Sequence, residues 1–468
     1  MSWIQTPRRD FLWQAGGGFA GLALADLIAR EQATAAERAT ITAAKAKHVV
    51  FLFMNGGPSQ VDTFDPKPEL DKHHGEKYAG PLAVGSNGRA VGHLAKSVFP
   101  FANHGASGLP ISSLYPHLAK HADDLCVIRS MHTDTAAHAS GCIQMNTGAV
   151  TIGKPCLGSW LSYGLGSANE NLPSFVVMTD PRGGPIGAAS NWSAGYMPAK
   201  FQGTMFRSGG SPLLDLATPP GVSDITQRAS LDLLKSLNEE HLATKPGDAE
   251  LKARIDSYEL AFRMQTAAAE AVDLGRETQD TLDAYGLGDR RTADFGRKCL
   301  VTRRLLERGV RFIQLYSGGG HIEDTWDGHN DCITNHRTHA EETDQPIAAL
   351  IADLKRTGLW DETLLVWGGE FGRTPTSEGV DKPGRDHDWH GFSMWLAGAG
   401  VKGGQAIGAT DELGFAAVEE KCHVRDLHAT ILHLLGLNHD RLTFFHQGLE
   451  QRLTGVEHEA QIIRRALR

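Results

Sequence analysis

The sequence predicts an α/β fold with a mainly parallel central sheet, flanked by helices and carrying loop insertions. Three observations predict it. Six short, unbroken apolar runs read as strands buried on both faces, since a half-buried strand would alternate apolar and polar residues. Segments with apolar residues spaced three and four apart lie among them and read as helices. Glycines close most of the runs, where the chain must turn at a strand end. A chain of 468 residues, 41% hydrophobic and 22% charged, is large enough to bury an extensive core.

Taken in order, the strand runs are "KHVVFLFMNGG" (47–57), "DLCVIRSMH" (124–132), "PSFVVMT" (173–179), "VRFIQLYSGG" (310–319), "ETLLVWGGE" (362–370) and "GFSMWLAGAG" (391–400). Helical spacing marks "ELAFRMQTAAAEAVDL", "FGRKCLVTRRLLERG" and "DQPIAALIADLKRTGLW", the last with Pro346 near its expected start. Two polar, glycine-rich excursions, about 66–112 and 190–250, read as insertions into a single domain spanning 45–468.

The N-terminal stretch "TPRRDFLWQAGGGFAGLALADLIARE" places Arg8 and Arg9 ahead of a weakly apolar, glycine-rich segment, followed by "ATAAERA". This pattern, over residues 1–39, matches a twin-arginine export signal and predicts a periplasmic or extracellular protein. The segment is too short and polar for a stable membrane span. A net charge of −9 argues against a nucleic-acid partner, because phosphate binding needs a basic surface. The six cysteines, at 126, 142, 156, 299, 332 and 422, show no CxxC spacing, so neither a zinc ribbon nor a disulfide framework can be assigned.

Chemistry-bearing residues gather just after the strand runs, where ligands bind in open α/β sheets. In "NGGPSQVDTFDPKP" (55–68), Asn55 or Asp62 approaches a metal or anionic substrate, or the stretch is a turn built on side-chain hydrogen bonds. "SMHTDTAAHASGCIQMNTG" (130–148) offers His132, Thr133, Asp134, Thr135, His138 and Ser140. Thr133 or a neighbouring hydroxyl is a nucleophile if activated, and otherwise a helix cap. His132 and His138 suit ligand or general acid–base roles. "GGGHIEDTWDGHNDCITNHRTHAEETD" (318–344) is dense in acids and imidazoles, among them His321, Asp327 and His329. The last two are close enough in sequence to face one cation as mixed nitrogen and oxygen ligands. Finally, Glu370 and Arg373 follow one strand, and Asp386, His387 and His390 precede the next. Glu370 is a metal ligand or the carboxylate that orients one, and Arg373 clamps a substrate oxyanion or pairs with a carboxylate. An ion pair sealing the sheet edge is the plainer alternative.

"FLFMNGGPSQVDTFDPKP", "LGSWLSYGLGSANENLPSFVV", "WDGH", "GGEFGRTP", "GRDH" and "DLHATILHLLGL" together resemble a family of exported bacterial proteins known as a domain of unknown function and often labelled sulfatase-like. That family is similar in fold to the alkaline phosphatase superfamily. The resemblance covers nearly the whole chain. It implies an alkaline-phosphatase/sulfatase-like fold and one or two divalent metals. Asp327 and His329 then correspond to one metal pair and His387 to its distal histidine. Asn55 stands where the superfamily has an aspartate, and Glu370-Phe371 where it has Asp-His, which points to a single metal. No cysteine carries the Cys-x-Pro-x-Arg signature of formylglycine sulfatases, and His138 takes the nucleophile's slot.

The expectation is therefore an exported metal-dependent hydrolase of phosphate or sulfate esters, acting on a small-molecule or glycan ester. One zinc, manganese or calcium ion would be held by Asp327, His329, His387, Glu370 and Asn55. His138 or His132 would serve as general acid or base, Arg373 as anion clamp and Thr133 as a possible nucleophile. The alternatives are an exported, non-catalytic binder of phosphorylated or sulfated glycans, and a phosphoryl transferase with a covalent intermediate.

Overall fold

Each of the six apolar runs forms a strand of one sheet. The computed structural model describes residues 43–468 except 83–84, 87, 89–90, 208–220, 245–248, 321, 378–382 and 457–458. The expected N-terminal export segment, His321 and parts of the 66–112 and 190–250 excursions lie outside the described residues. The strands of the main sheet are β1 (His48–Met54), β2 (Leu125–His132), β3 (Phe175–Met178), β4 (Thr204–Met205), β5 (Phe312–Ser317), β6 (Thr363–Gly368), β7 (Phe392–Gly398), β8 (Gln405–Ile407) and β9 (Cys422–His423). The longer helices are α1 (His138–Thr147), α2 (Leu157–Leu165), α3 (Asp224–Thr244), α4 (Ala249–Val272), α5 (Ala293–Glu307), α6 (Cys332–Thr357) and α7 (Val424–Leu434).

The sheet order is β8-β2-β7-β6-β1-β5-β3-β4, with β9 also paired to β2. β1 lies near the middle and runs parallel to both neighbours, Val50 opposite Ile313 on β5 and Leu365 on β6. β7 is antiparallel to both β6 and β2. The ends of β1, β2, β5 and β6 therefore share one rim with the start of β7. Loops from five distant parts of the chain meet there.

Alternation along β1 sorts its side chains between two cores. Val50, Leu52 and Met54 join Leu300, Leu350, Leu354 and Trp367 on the face covered by α5 and α6. Val49, Phe51 and Phe53 join Trp160, Ile431 and Leu432 on the face covered by α2 and α7. Both faces are buried, which is why the strand reads as an unbroken apolar run. Among the described residues no helix is long and apolar enough to cross a membrane.

One expected boundary is corrected. α6 starts at Cys332, so Pro346 lies inside the helix rather than near its beginning. The side chain of Asp331 caps it by accepting the Thr334 N–H at 2.9 Å. Its first turns bury His336 and His339, polar residues that gave no apolar period to detect. Within the 318–344 stretch a short 3-10 turn at Ile322–Asp324 is followed by loop as far as Asp331 and by helix beyond it. His336 Nε2 accepts the backbone N–H of Ser59 at 2.7 Å, tying α6 to the turn after β1.

The core also holds His428, whose Nε2 donates to the Met145 carbonyl at 2.8 Å. Burial pushes its pKa down to about 4, against the opposing effect of that bond. The unfolded chain takes up this proton first as pH falls below the usual imidazole value. The stability His428 contributes is therefore full above that value and is lost on the way down to pH 4. Replacing His428 with Gln is expected to make the fall in unfolding free energy between pH 6.5 and 4.5 shallower by about 1 kcal/mol per pH unit, below the one-proton limit of about 1.4. Urea titrations of both proteins across that range check this, and parallel pH profiles would refute it.

Candidate metal centre

The rim is organised around the turn that ends β1. Gly56 adopts φ +111°, and a Cβ there would lie 2.6 Å from the backbone nitrogens of Trp326 and Asp327. Only glycine lets the two loops approach this closely. Trp326 N–H donates to the Asn55 carbonyl at 2.8 Å, so the loop after β5 is pinned to the turn after β1.

Glu370 and Arg373, just beyond β6, grip that same turn from both sides. The Gly56 N–H donates to the Glu370 carboxylate, at 2.9 Å to Oε1 and 3.1 Å to Oε2. Arg373 donates to the carbonyls of Gly56, of Gly57 at 2.9 Å, and of Arg385 at 3.2 Å. Its guanidinium also lies 2.7 Å from Asp327 Oδ1. Both side chains have no solvent exposure. Burying them is tolerable because each charge has partners.

Three histidines converge on Asp327. His138 opens α1, with Nδ1 2.6 Å from Glu370 Oε1 and Nε2 3.1 Å from Asp327 Oδ2. His387, just before β7, has Nδ1 2.7 Å from the Ala136 carbonyl. A carbonyl can only accept, so Nδ1 carries the hydrogen and the Nε2 lone pair is left facing Asp327 Oδ1 at 3.4 Å. His329 Nε2 lies 3.2 Å from Asp327 Oδ1 and 2.9 Å from His387 Nε2. Register explains how distant motifs meet, since Arg373 pairs directly with His387 in a short antiparallel bridge. The Phe371 ring packs on both inner histidines, with centroids 4.9 Å from His138 and 4.7 Å from His387.

The donor set fits a metal ion. Ligands about 2.0–2.1 Å from a tetrahedral zinc are roughly 3.3–3.4 Å from one another. The nitrogen–oxygen separations above, 3.1 to 3.4 Å, are close to that spacing. Ligand atoms of His138, Asp327 and His387 converge as one group, and those of His329, Asp386 and His387 as a second. His138 Nε2 and Asp327 Oδ1 are buried without a hydrogen-bond partner, although each lies near an opposite charge. Two lone-pair-bearing atoms left in this way suit a shared cation.

The electrostatics agree. Burial pushes the Asp327 carboxyl toward neutrality, but Arg373, His138 and His387 outweigh it and hold the group well below the usual carboxylate range. Burial lowers His387 to about 4, with Arg373 and His138 adding to the effect against Asp327. It is therefore a neutral donor at pH 7. Burial also opposes a charge on His138, but its bonds to Asp327 and Glu370 prevail and raise its pKa. A pocket that attracts a proton at His138 Nε2 attracts a metal by the same charges.

Of the residues singled out from the sequence, Asp327, His329, His387 and His138 meet here, with Glu370 and Arg373 behind them. The other residues singled out are placed as follows, Glu370 and Arg373 in the second of the two roles expected of each. Asn55 is not offered to the centre: its Nδ2 donates to the Gly318 carbonyl at 3.3 Å, and its Oδ1 faces the Cys142 thiol at 3.5 Å. Glu370 lies behind His138 and belongs to neither converging ligand group. Arg373 cannot clamp a substrate, being fully buried with its donors turned to backbone carbonyls and Asp327. Thr133 and His132 belong to a neighbouring polar network. Thr133 Oγ1 donates to Gln144 at 2.6 Å, and the His132 ring lies against His423 at 5.2 Å. Asp62, the other acid noted after β1, is taken by Arg385 at 2.8 Å. The Ala136 carbonyl, which orients His387, carries no sequence signal.

Residues 46–467 match the family described as "Protein of unknown function (DUF1501)", and the chain belongs to that family. No curated protein matches the chain. It is similar to the solved structure of the lipoteichoic acid synthase LtaP from Listeria monocytogenes, at 11% identity and a TM-score of 0.42, covering 89% of this chain and 76% of that one. It is also similar to alkaline phosphatase from the Antarctic bacterium TAB5, at 10% identity and 0.35, covering 84% and 99%. A third is the PsFucS1 sulfatase from Pseudoalteromonas sp., at 12% and 0.36, covering 99% and 78%.

Because Gly56 holds two loops together in a conformation closed to other residues, Gly56→Ala is expected to destabilise the protein by about 2–3 kcal/mol. The urea midpoint should fall accordingly. A midpoint equal to that of the unaltered protein would show that the loops do not depend on this contact.

Proposed function

We propose that the protein is an exported metal-dependent hydrolase of phosphate or sulfate esters that uses one divalent ion. The observation that carries this reading is the convergence of ligand atoms of His138, Asp327 and His387 on one point, with His138 Nε2 and His387 Nε2 3.1 and 3.4 Å from the Asp327 carboxylate. Export rests on the Arg8-Arg9 segment. Asp327, His138 and His387 would hold the ion. Their imidazole-rich donor set suits zinc or manganese better than calcium, which prefers oxygen ligands alone. When bound, such an ion supplies a Lewis acid for the ester's anionic oxygens and acidifies a water.

The chain's own groups do the rest. Arg373 keeps Asp327 ionised and fixed. His329, with 31% of its side chain exposed, stands at the mouth of the centre. Its ring is placed to exchange a proton with the attacking water or the leaving oxygen. The residue that opens α1 is an imidazole rather than a hydroxyl, and Thr133 is engaged by Gln144, so water attacks directly. All six cysteines are buried, in keeping with a mechanism that is not of the formylglycine type. A cavity of about 340 Å³ beside Asp327, with Arg182, Asp331, Asn335 and Thr338 in its wall, offers polar room for a hydroxyl-bearing leaving group.

The non-catalytic alternative, a binder of phosphorylated or sulfated glycans, draws on Asn55 and Phe371, whose side chains are packed inside rather than offered to a ligand. Elemental analysis of the natively exported protein is expected to find one equivalent of zinc or manganese. Asp327→Ala and His387→Ala should lose it and lower kcat/KM for 4-nitrophenyl phosphate or sulfate by at least ~10³-fold, with unchanged circular dichroism. A folded protein that holds no metal would overturn the hydrolase. Metal binding with no turnover of any ester would favour the binder.

A further inference from the structure

Glu370 is a fully buried acid at a site where the metal reading needs no further carboxylate. Its placement is specific. Oε1 accepts from His138 Nδ1 at 2.6 Å and from the Gly56 N–H at 2.9 Å, and Oε2 accepts from the same Gly56 N–H at 3.1 Å. With an N–H required between Glu370 and His138, the hydrogen sits on Nδ1 and the Nε2 lone pair is turned toward Asp327. The first turn of α1 is cut back to admit this acid. A Cβ on Gly141 would come within 3.3 Å of Glu370 Cβ and Cγ and 3.2 Å of the Phe371 ring.

We propose that Glu370 is a positioning residue that acts on the metal through His138. The inference rests on the metal-centre reading above. By accepting the Nδ1 hydrogen, the carboxylate fixes the tautomer and ring angle of His138 and makes Nε2 a stronger donor. Gly56 holds the carboxylate in turn, so the turn after β1 sets the geometry of a ligand on α1. His387 is oriented by the neutral Ala136 carbonyl instead. The two inner histidines therefore differ in donor strength, and His138 is the stronger.

The test is calorimetric titration with Zn²⁺ and absorption spectroscopy of the Co²⁺-loaded protein, on the full chain and on Glu370→Gln and Gly141→Ala. Gln keeps an acceptor for both N–H groups but removes the charge. Gly141→Ala keeps the charge and displaces it, and so serves if the Gln variant does not fold. The expected result is unchanged stoichiometry and cobalt coordination number, with Zn²⁺ affinity weaker by about 10- to 100-fold in Glu370→Gln and also reduced in Gly141→Ala. A change in cobalt coordination number on Glu370→Gln would make Glu370 a direct ligand and overturn the proposal. So would wild-type Zn²⁺ affinity in both variants, which would leave the metal centre itself standing. Failure of the unaltered protein to bind either ion would overturn the metal centre and this role with it.

Discussion

The rim is held together by the backbone of two glycines. Gly56 offers its N–H to Glu370, and Gly56 and Gly57 offer their carbonyls to Arg373. A positive φ makes this possible, because it turns donor and acceptor groups of the same turn toward opposite charges. Each charge then meets one group of the proposed centre, Glu370 meeting His138 and Arg373 meeting Asp327. Two ions that would be costly to bury alone become tolerable because backbone and partner satisfy them together.

The sheet supplies the geometry this clamp needs. Parallel strands β1, β5 and β6 deliver their ends to one rim. β7, antiparallel to its neighbours, delivers its beginning to the same place. That reversal is why Arg373 after β6 and His387 before β7 can pair across a short bridge. α1 enters from β2 with His138 as its first residue, so three imidazoles approach a single carboxylate from different directions. The Phe371 ring fills the space beside His138 and His387 and limits their rotation.

Such an arrangement separates the tasks of its residues. Asp327 and the inner histidines are buried and oriented, each with a partner behind it. His329 is the part of the cluster most open to solvent, which suits proton exchange more than rigid ligation. Thr133, one of the hydroxyls near the cluster, is engaged by Gln144.

By itself, the sequence determined the layered α/β class, six strands of the main sheet and the rim where chemistry would gather. Unbroken apolar runs such as 47–54 and glycines at their ends are local signals of burial and turning. It also brought forward Asp327, His329, His387, His138, Glu370 and Arg373 by residue type and by position after strands. It could not show that α6 begins at Cys332, because a helix face that buries His336 and His339 has no apolar period. Nor could it separate ligands from their supports. Asn55 and Glu370 are chemically able to bind a metal, and Arg373 to bind an anion. What turns them elsewhere in the fold is the company they keep: the Gly318 carbonyl, the Gly56 N–H, and the Gly56 and Gly57 carbonyls. Those partners lie some 260 to 320 positions away along the chain. Only the folded sheet brings them within hydrogen-bonding distance, so only the tertiary structure could decide which way each charge is turned.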